Sequence, residues 1–157
     1  HALKYDGWHR VAEGMAERMA RLEWPVDVLA ERTALVPVPL APARLRERGY
    51  NQSGVLAHAL ARYWSIPVWG NVLRRTRATS SQTRLTPEQR RSNVSDAFRA
   101  SESMTREALR DTHLVLVDDV VTTAATLVAC AAALHAGGVR VVSVVTFARA
   151  PALGDRS

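Results

Sequence analysis

Leu114-Val115-Leu116-Val117-Asp118-Asp119-Val120-Val121-Thr122-Thr123-Ala124-Ala125-Thr126 joins an apolar run to two adjacent carboxylates, and then to hydroxyl-bearing and small residues. The pattern predicts a strand over 114–117, a turn, and the start of an alanine-rich helix. Parallel strands buried on both faces read as continuous apolar runs, and ligands bind outside their carboxyl ends. Acids and hydroxyls therefore fall where a site belongs. Backbone N–H groups of Thr122, Thr123, Ala124, Ala125 and Thr126, near a helix N-terminus, suit a phosphate. Asp118 and Asp119 suit the hydroxyls of a sugar.

Downstream, Leu127, Ala131 and Leu134 mark the inner face of the helix, which is expected to stop at Gly137-Gly138. Val139 to Phe147 reads as a further strand, completing a βαβ unit. No G-x-G-x-x-G follows a strand and no Walker-type glycine and lysine set is present, which removes the common dinucleotide and P-loop readings. A receiver domain is excluded because the acid pair precedes only one more strand. Asp118 and the threonines after it also have a purely structural reading, as helix caps.

Upstream, Val11, Met15, Met19 and Leu22 recur at helical spacing from Trp8, and Pro25 ends that helix. Leu35 to Leu40 predicts a strand whose prolines mark its exit from the sheet. Ala41 to Gly49 reads as a basic loop, with Arg44, Arg46 and Arg48 against Glu47. Asn51 or Ser53 caps a helix whose apolar side is Val55, Leu56, Ala59, Leu60 and Tyr63. His58 on that helix has no second histidine nearby and reads as a packing or surface residue. Val68, Val72 and Leu73 form the next strand core. Arg74 to Arg99 carries Arg74, Arg75, Arg77, Arg84, Arg90, Arg91 and Arg99 against Glu88 and Asp96, and is expected to be a flexible loop with a short helix from Thr86 to Asn93. Ser101 to Asp111 predicts a surface helix.

At 157 residues the chain fits one domain, 1–157. The net charge is +6 and Lys4 is the only lysine, so a basic, arginine-based surface is available to phosphates of any kind. Nothing in the sequence spans a bilayer, and a cytoplasmic location is expected. Cys130, the one cysteine, sits mid-helix and reads as a small buried thiol.

Leu114 to Thr126 resembles the ribose-phosphate signature of type I phosphoribosyltransferases. Further landmarks make the chain similar to the ComF family. They are Leu3-Lys4-Tyr5-Asp6-Gly7, Val36-Pro37-Val38-Pro39-Leu40, Arg48-Gly49-Tyr50-Asn51-Gln52, Leu73-Arg74-Arg75-Thr76-Arg77, Gln82 and Arg90-Arg91-Ser92-Asn93. The resemblance covers Leu3 to Arg149. It implies an α/β fold with a mostly parallel central sheet, helices on both faces and a small hood, and binding of phosphoribosyl pyrophosphate with Mg²⁺. Asp118 and Asp119 would hold the ribose and orient the metal, and Thr122 to Thr126 the 5-phosphate. Arg44, Arg48, Arg75 and Arg90 are the candidates for the pyrophosphate. No general base and no acceptor are legible. The family's usual loop glycine is Ala124 here, which fits only where φ stays negative. The family often carries a cysteine-rich, zinc-binding module ahead of this region, and no cysteine here supports one. The other reading the resemblance allows is an adaptor in DNA uptake, contacting single-stranded DNA or a helicase partner.

Overall fold

The structure is a computed structural model that describes residues 2–76, 97–122 and 124–150. Its centre is β4 (His113–Val121). Leu114, Val115, Leu116 and Val117 have no exposed surface, as a strand covered on both faces requires. β4 pairs in parallel with β1 (Arg32–Pro37) on one side and with β5 (Val141–Arg149) on the other. A single parallel bridge from Leu35 to Val68 adds the chain beyond β1, giving the spatial order Val68, β1, β4, β5. β2 (Leu73–Arg75) and β3 (Phe98–Ala100) form a separate antiparallel pair.

The period-two alternation of β4 divides the core into two layers. Leu114 and Leu116 face Leu127, Cys130 and Leu134 of α6 (Ala125–Ala136), together with Leu73, Phe98 and Leu109. Val115 and Val117 face α1 (Ala2–Ala20) and α4 (Gln52–Trp64) through Met15, Met19, Leu56, Leu60 and Trp64. Each fully buried Leu or Val contributes about 1.5–3 kcal/mol relative to exposure. Ala12 and Ala16, one turn apart and fully buried, let α1 approach α4 closely.

Several expectations change. β4 runs on through both acids to Val121, because Asp118 still pairs with Thr146 and Val121 with Arg149. β1 covers Arg32–Pro37, starting earlier and ending sooner than expected, although Val38 N–H still donates to Val117 O. The basic stretch after β1 is no loop but α3 (Pro42–Arg48), opened by a proline at its start and closed by Gly49 at φ 81°. α1 ends at Ala20, before Pro25, and its inner face is Ala12, Met15, Ala16 and Met19, while Val11 and Leu22 are exposed. Pro25 instead precedes a short α2 (Val26–Glu31). Tyr63 is exposed on α4. The surface helix expected over Ser101 to Asp111 is a single turn, α5 (Arg106–Leu109), capped by Thr105. The stop at Gly137-Gly138 is present, and β5 begins at Val141, two residues later than expected. The flexible loop expected over Arg74 to Arg99 is not a loop at its ends, where β2 and β3 pair antiparallel; 77–96, with the helix expected from Thr86 to Asn93, lies outside the described residues.

Candidate functional site

From β1 the chain moves outward to Val68, whereas β4 and β5 lie on the other side of β1. The carboxyl ends of β1 and β4 therefore flank a topological switch point, the place where open α/β sheets bind ligands. Asp118 and Asp119 stand at that end of β4. Both are half-buried. Asp118 Oδ1 accepts hydrogen bonds from Ser53 Oγ at 2.8 Å and from the Asp119 N–H at 3.1 Å. Asp119 Oδ1 accepts from the Val120 N–H at 2.9 Å. Burial pushes the Asp118 carboxyl above the usual carboxylate range, with the charge of Asp119 adding to it, while the Ser53 hydrogen bond pulls the other way.

The phosphate-type loop follows directly. Thr122 is exposed, and Ala125 and Thr126 are half-buried in the first turn of α6. Thr123 lies outside the described residues. Ala124 is the N-cap and is left-handed, at φ 57° and ψ −2°, so the condition that φ stay negative fails. An alanine in this conformation costs about 1–2 kcal/mol. It also gives α6 no side-chain cap, which leaves first-turn N–H groups available to an anion.

The arginines separate. Arg44 is exposed on α3 and pairs with Glu47 at 3.6 Å, and Arg48 donates to Gln52. None of the contacts among the described residues joins either to the acid pair. Arg90 lies outside the described residues. Arg75 is half-buried on β2, with its guanidinium 5.3 Å from the centre of the Phe98 ring. Cys130 of α6 lies in the core layer with Leu114 and Leu116. That thiol is fully buried and is pushed up to about 12, by burial first and then by the charge of Asp118, against the pull of Arg75. As a nucleophile it is inert.

Two residues of this site went unassigned in the sequence. Ser53 reads as a helix cap, yet its hydroxyl reaches Asp118, 65 positions away. Asn51 occupies the N-cap position of α4 without capping it. Its Nδ2 donates to Val38 O at 3.0 Å, and its Oδ1 is buried with no partner among the described residues. The only local signal was their place in or beside the Arg48 to Gln52 landmark.

The phosphoribosyl transferase domain family matches residues 50–157, more than half of the chain and all of β4, α6 and β5. The chain belongs to that family. This phosphoribosyltransferase-like domain is of the ComF type. Competence protein F of Haemophilus influenzae is 38% identical over 117 residues, covering 74% of this chain and 50% of the relative. DNA utilization protein YhgH of Escherichia coli O157:H7 is 34% identical over 152 residues, covering 92% of this chain and 63% of the relative. The same-named protein of Salmonella typhi is 33% identical over an equal span. The phosphoribosyltransferase-like chain therefore spans between 50% and 63% of the length of these relatives. No described helix is long and apolar enough to cross a membrane.

Proposed function

We propose that this phosphoribosyltransferase-like domain binds phosphoribosyl pyrophosphate with Mg²⁺ at the end of β4 and transfers the phosphoribosyl group to an acceptor, releasing pyrophosphate. The observation that carries the reading is the acid pair at the switch point, followed at once by a helix N-terminus with no side-chain cap. Asp118 and Asp119 accept hydrogen bonds from the ribose hydroxyls. The N–H groups over 122–126 and the Thr122 and Thr126 hydroxyls hold the 5-phosphate, with Thr123 completing the loop. Arg75, half-buried on β2, is assigned to the pyrophosphate. Arg44, Arg48 and Arg90 remain candidates for the pyrophosphate.

The residues fit Mg²⁺. Carboxylate oxygens are hard donors, and no group of three metal-ligating side chains exists among the described residues. An ion held here takes most of its ligands from water and the donor's phosphates, as Mg²⁺ prefers. When bound, it neutralises the charge that collects on the leaving pyrophosphate. The protein's own part is to fix the ribose, exclude water and stabilise charge, with no general base assigned.

A thermal-shift titration tests this. Donor at a hundredfold excess over its Kd stabilises by about 2.7 kcal/mol, a rise of roughly 5–10 °C for a chain of this size. Asp118→Asn with Asp119→Asn should abolish the rise without lowering the midpoint of the free protein. A rise that survives the double variant moves the donor site elsewhere.

A second reading is a DNA-uptake module that keeps the fold without turnover. The names of the relatives, competence and DNA utilization, favour it together with the net charge of +6. DNA affinity falling steeply with salt, without donor binding, would select it.

A further inference from the structure

We propose that Ser53, seated by Asn51, is the positioning residue of the acid pair, holding the Asp118 carboxylate in one orientation for the donor's ribose. The inference deepens the phosphoribosyl pyrophosphate reading and rests on it for the identity of the ligand. Three hydrogen bonds close a ring through the site. Ser53 Oγ donates to Asp118 Oδ1 at 2.8 Å, Asn51 Nδ2 donates to Val38 O at 3.0 Å, and Val38 N–H donates to Val117 O at 3.0 Å. Val117 is the residue before Asp118, and Asn51 and Ser53 sit two positions apart at the head of α4. The ring thus ties the ends of β1 and β4 to the start of one helix.

The chemistry of each member fixes its role. Val38 O is an acceptor only, so the Asn51 amide must present its nitrogen there. Ser53 is almost fully buried, and an ionised carboxylate offers it only acceptors, so its hydroxyl proton points at Asp118. The hydrogen bonds from Ser53 Oγ and from the Asp119 N–H both fall on Oδ1. The proposed ribose hydroxyl meets Oδ2. A carboxylate clamped on one oxygen loses little freedom when a sugar hydroxyl binds the other, which is how a positioning contact increases affinity. Among the described residues, the groups that act on Asp118 are Asp119 on its own strand and Ser53 from α4, and the Cys130 thiol of α6 feels its charge together with that of Arg75 from β2. Of these only Ser53 both touches the carboxylate from another element and favours its charged form.

The test is the titration of Asp118 in the free protein, followed by carboxyl carbon NMR and assigned by its loss in Asp118→Asn. Removing a hydrogen bond to the charged form raises a carboxyl pKa. Ser53→Ala should therefore move the Asp118 midpoint upward, Ser53→Thr should restore it, and Asn51→Ala should move it in the same direction as Ser53→Ala. With phosphoribosyl pyrophosphate and Mg²⁺ at neutral pH, Ser53→Ala should bind about tenfold more weakly, and the acid limb of its binding profile should lie at higher pH. An Asp118 midpoint unmoved in Ser53→Ala overturns the role of Ser53, and one unmoved in Asn51→Ala overturns that of Asn51. Wild-type protein that binds no donor overturns the proposed function instead, while the midpoints still decide the positioning role.

Discussion

Replacing Ala124 by glycine should stabilise this protein, although the same change elsewhere in α6 should do the reverse. Ala124 sits at φ 57°, where its β-carbon crowds the following carbonyl at a cost of about 1–2 kcal/mol. Glycine removes that crowding but adds roughly 0.4–1 kcal/mol of unfolded-state entropy to be lost on folding. The net gain is about 0.5–1 kcal/mol, or a midpoint higher by roughly 1–4 °C for a chain of this length. Ala124 is exposed, so little packing is lost with the methyl group. Ala132, also exposed but in the interior of the helix, is the control, and Ala132→Gly should cost about 1 kcal/mol. Urea unfolding of both variants, at constant m, gives the two numbers. If Ala124→Gly destabilises as much as Ala132→Gly, residue 124 is not left-handed and the description of the loop is wrong. A parallel donor titration separates backbone relief from access, since tighter binding in Ala124→Gly is expected only where the methyl group crowds the phosphate.

Asp118→Asn should abolish donor binding yet leave the thermal midpoint at neutral pH unchanged or slightly higher. Burial raises the Asp118 pKa above its unfolded value, so this group's contribution to stability is greatest below the ordinary carboxylate range and is lost as pH rises through the folded pKa. A pH series of melts on wild type and Asp118→Asn should show that slope only in the wild type. Gly137→Ala should destabilise by about 1–3 kcal/mol, because the new β-carbon would lie 2.5 Å from the Ala100 β-carbon; a neutral result in urea would show that β3 yields. Leu116→Ala, at the fully buried centre of β4, should cost about 2–5 kcal/mol by the same assay, and a loss below 1 kcal/mol would contradict the central place of that strand.

The βαβ unit was legible because its signals are local. Leu114 to Val117 is a continuous apolar run, Leu127 and Leu134 mark an inner helical face, and Gly137-Gly138 stops the helix. What escaped depended on distant partners or on small residues. The strand's continuation through Asp118 and Asp119 is imposed by pairing with β5, which no window around the acids contains. On α1 the buried positions include Ala12 and Ala16, and a reading keyed to large apolar side chains chose exposed Val11 and Leu22 instead. The arginines after β1 read as a basic loop because of their charge. Pro42 and Gly49 were the signals that they belong to a helix. Ser53 shows the limit most plainly: serine near a helix start reads as a cap, and only the folded chain sets it against Asp118.

The central claim is that the end of β4 is a donor site that needs the metal. Calorimetric titration with phosphoribosyl pyrophosphate, first with Mg²⁺ and then with EDTA, addresses it directly. A donor site at Asp118 and Asp119 gives saturable heat with Mg²⁺ that disappears with EDTA and in the Asp118→Asn variant. No heat at millimolar donor, or heat indifferent to the metal and to Asp118, would contradict it.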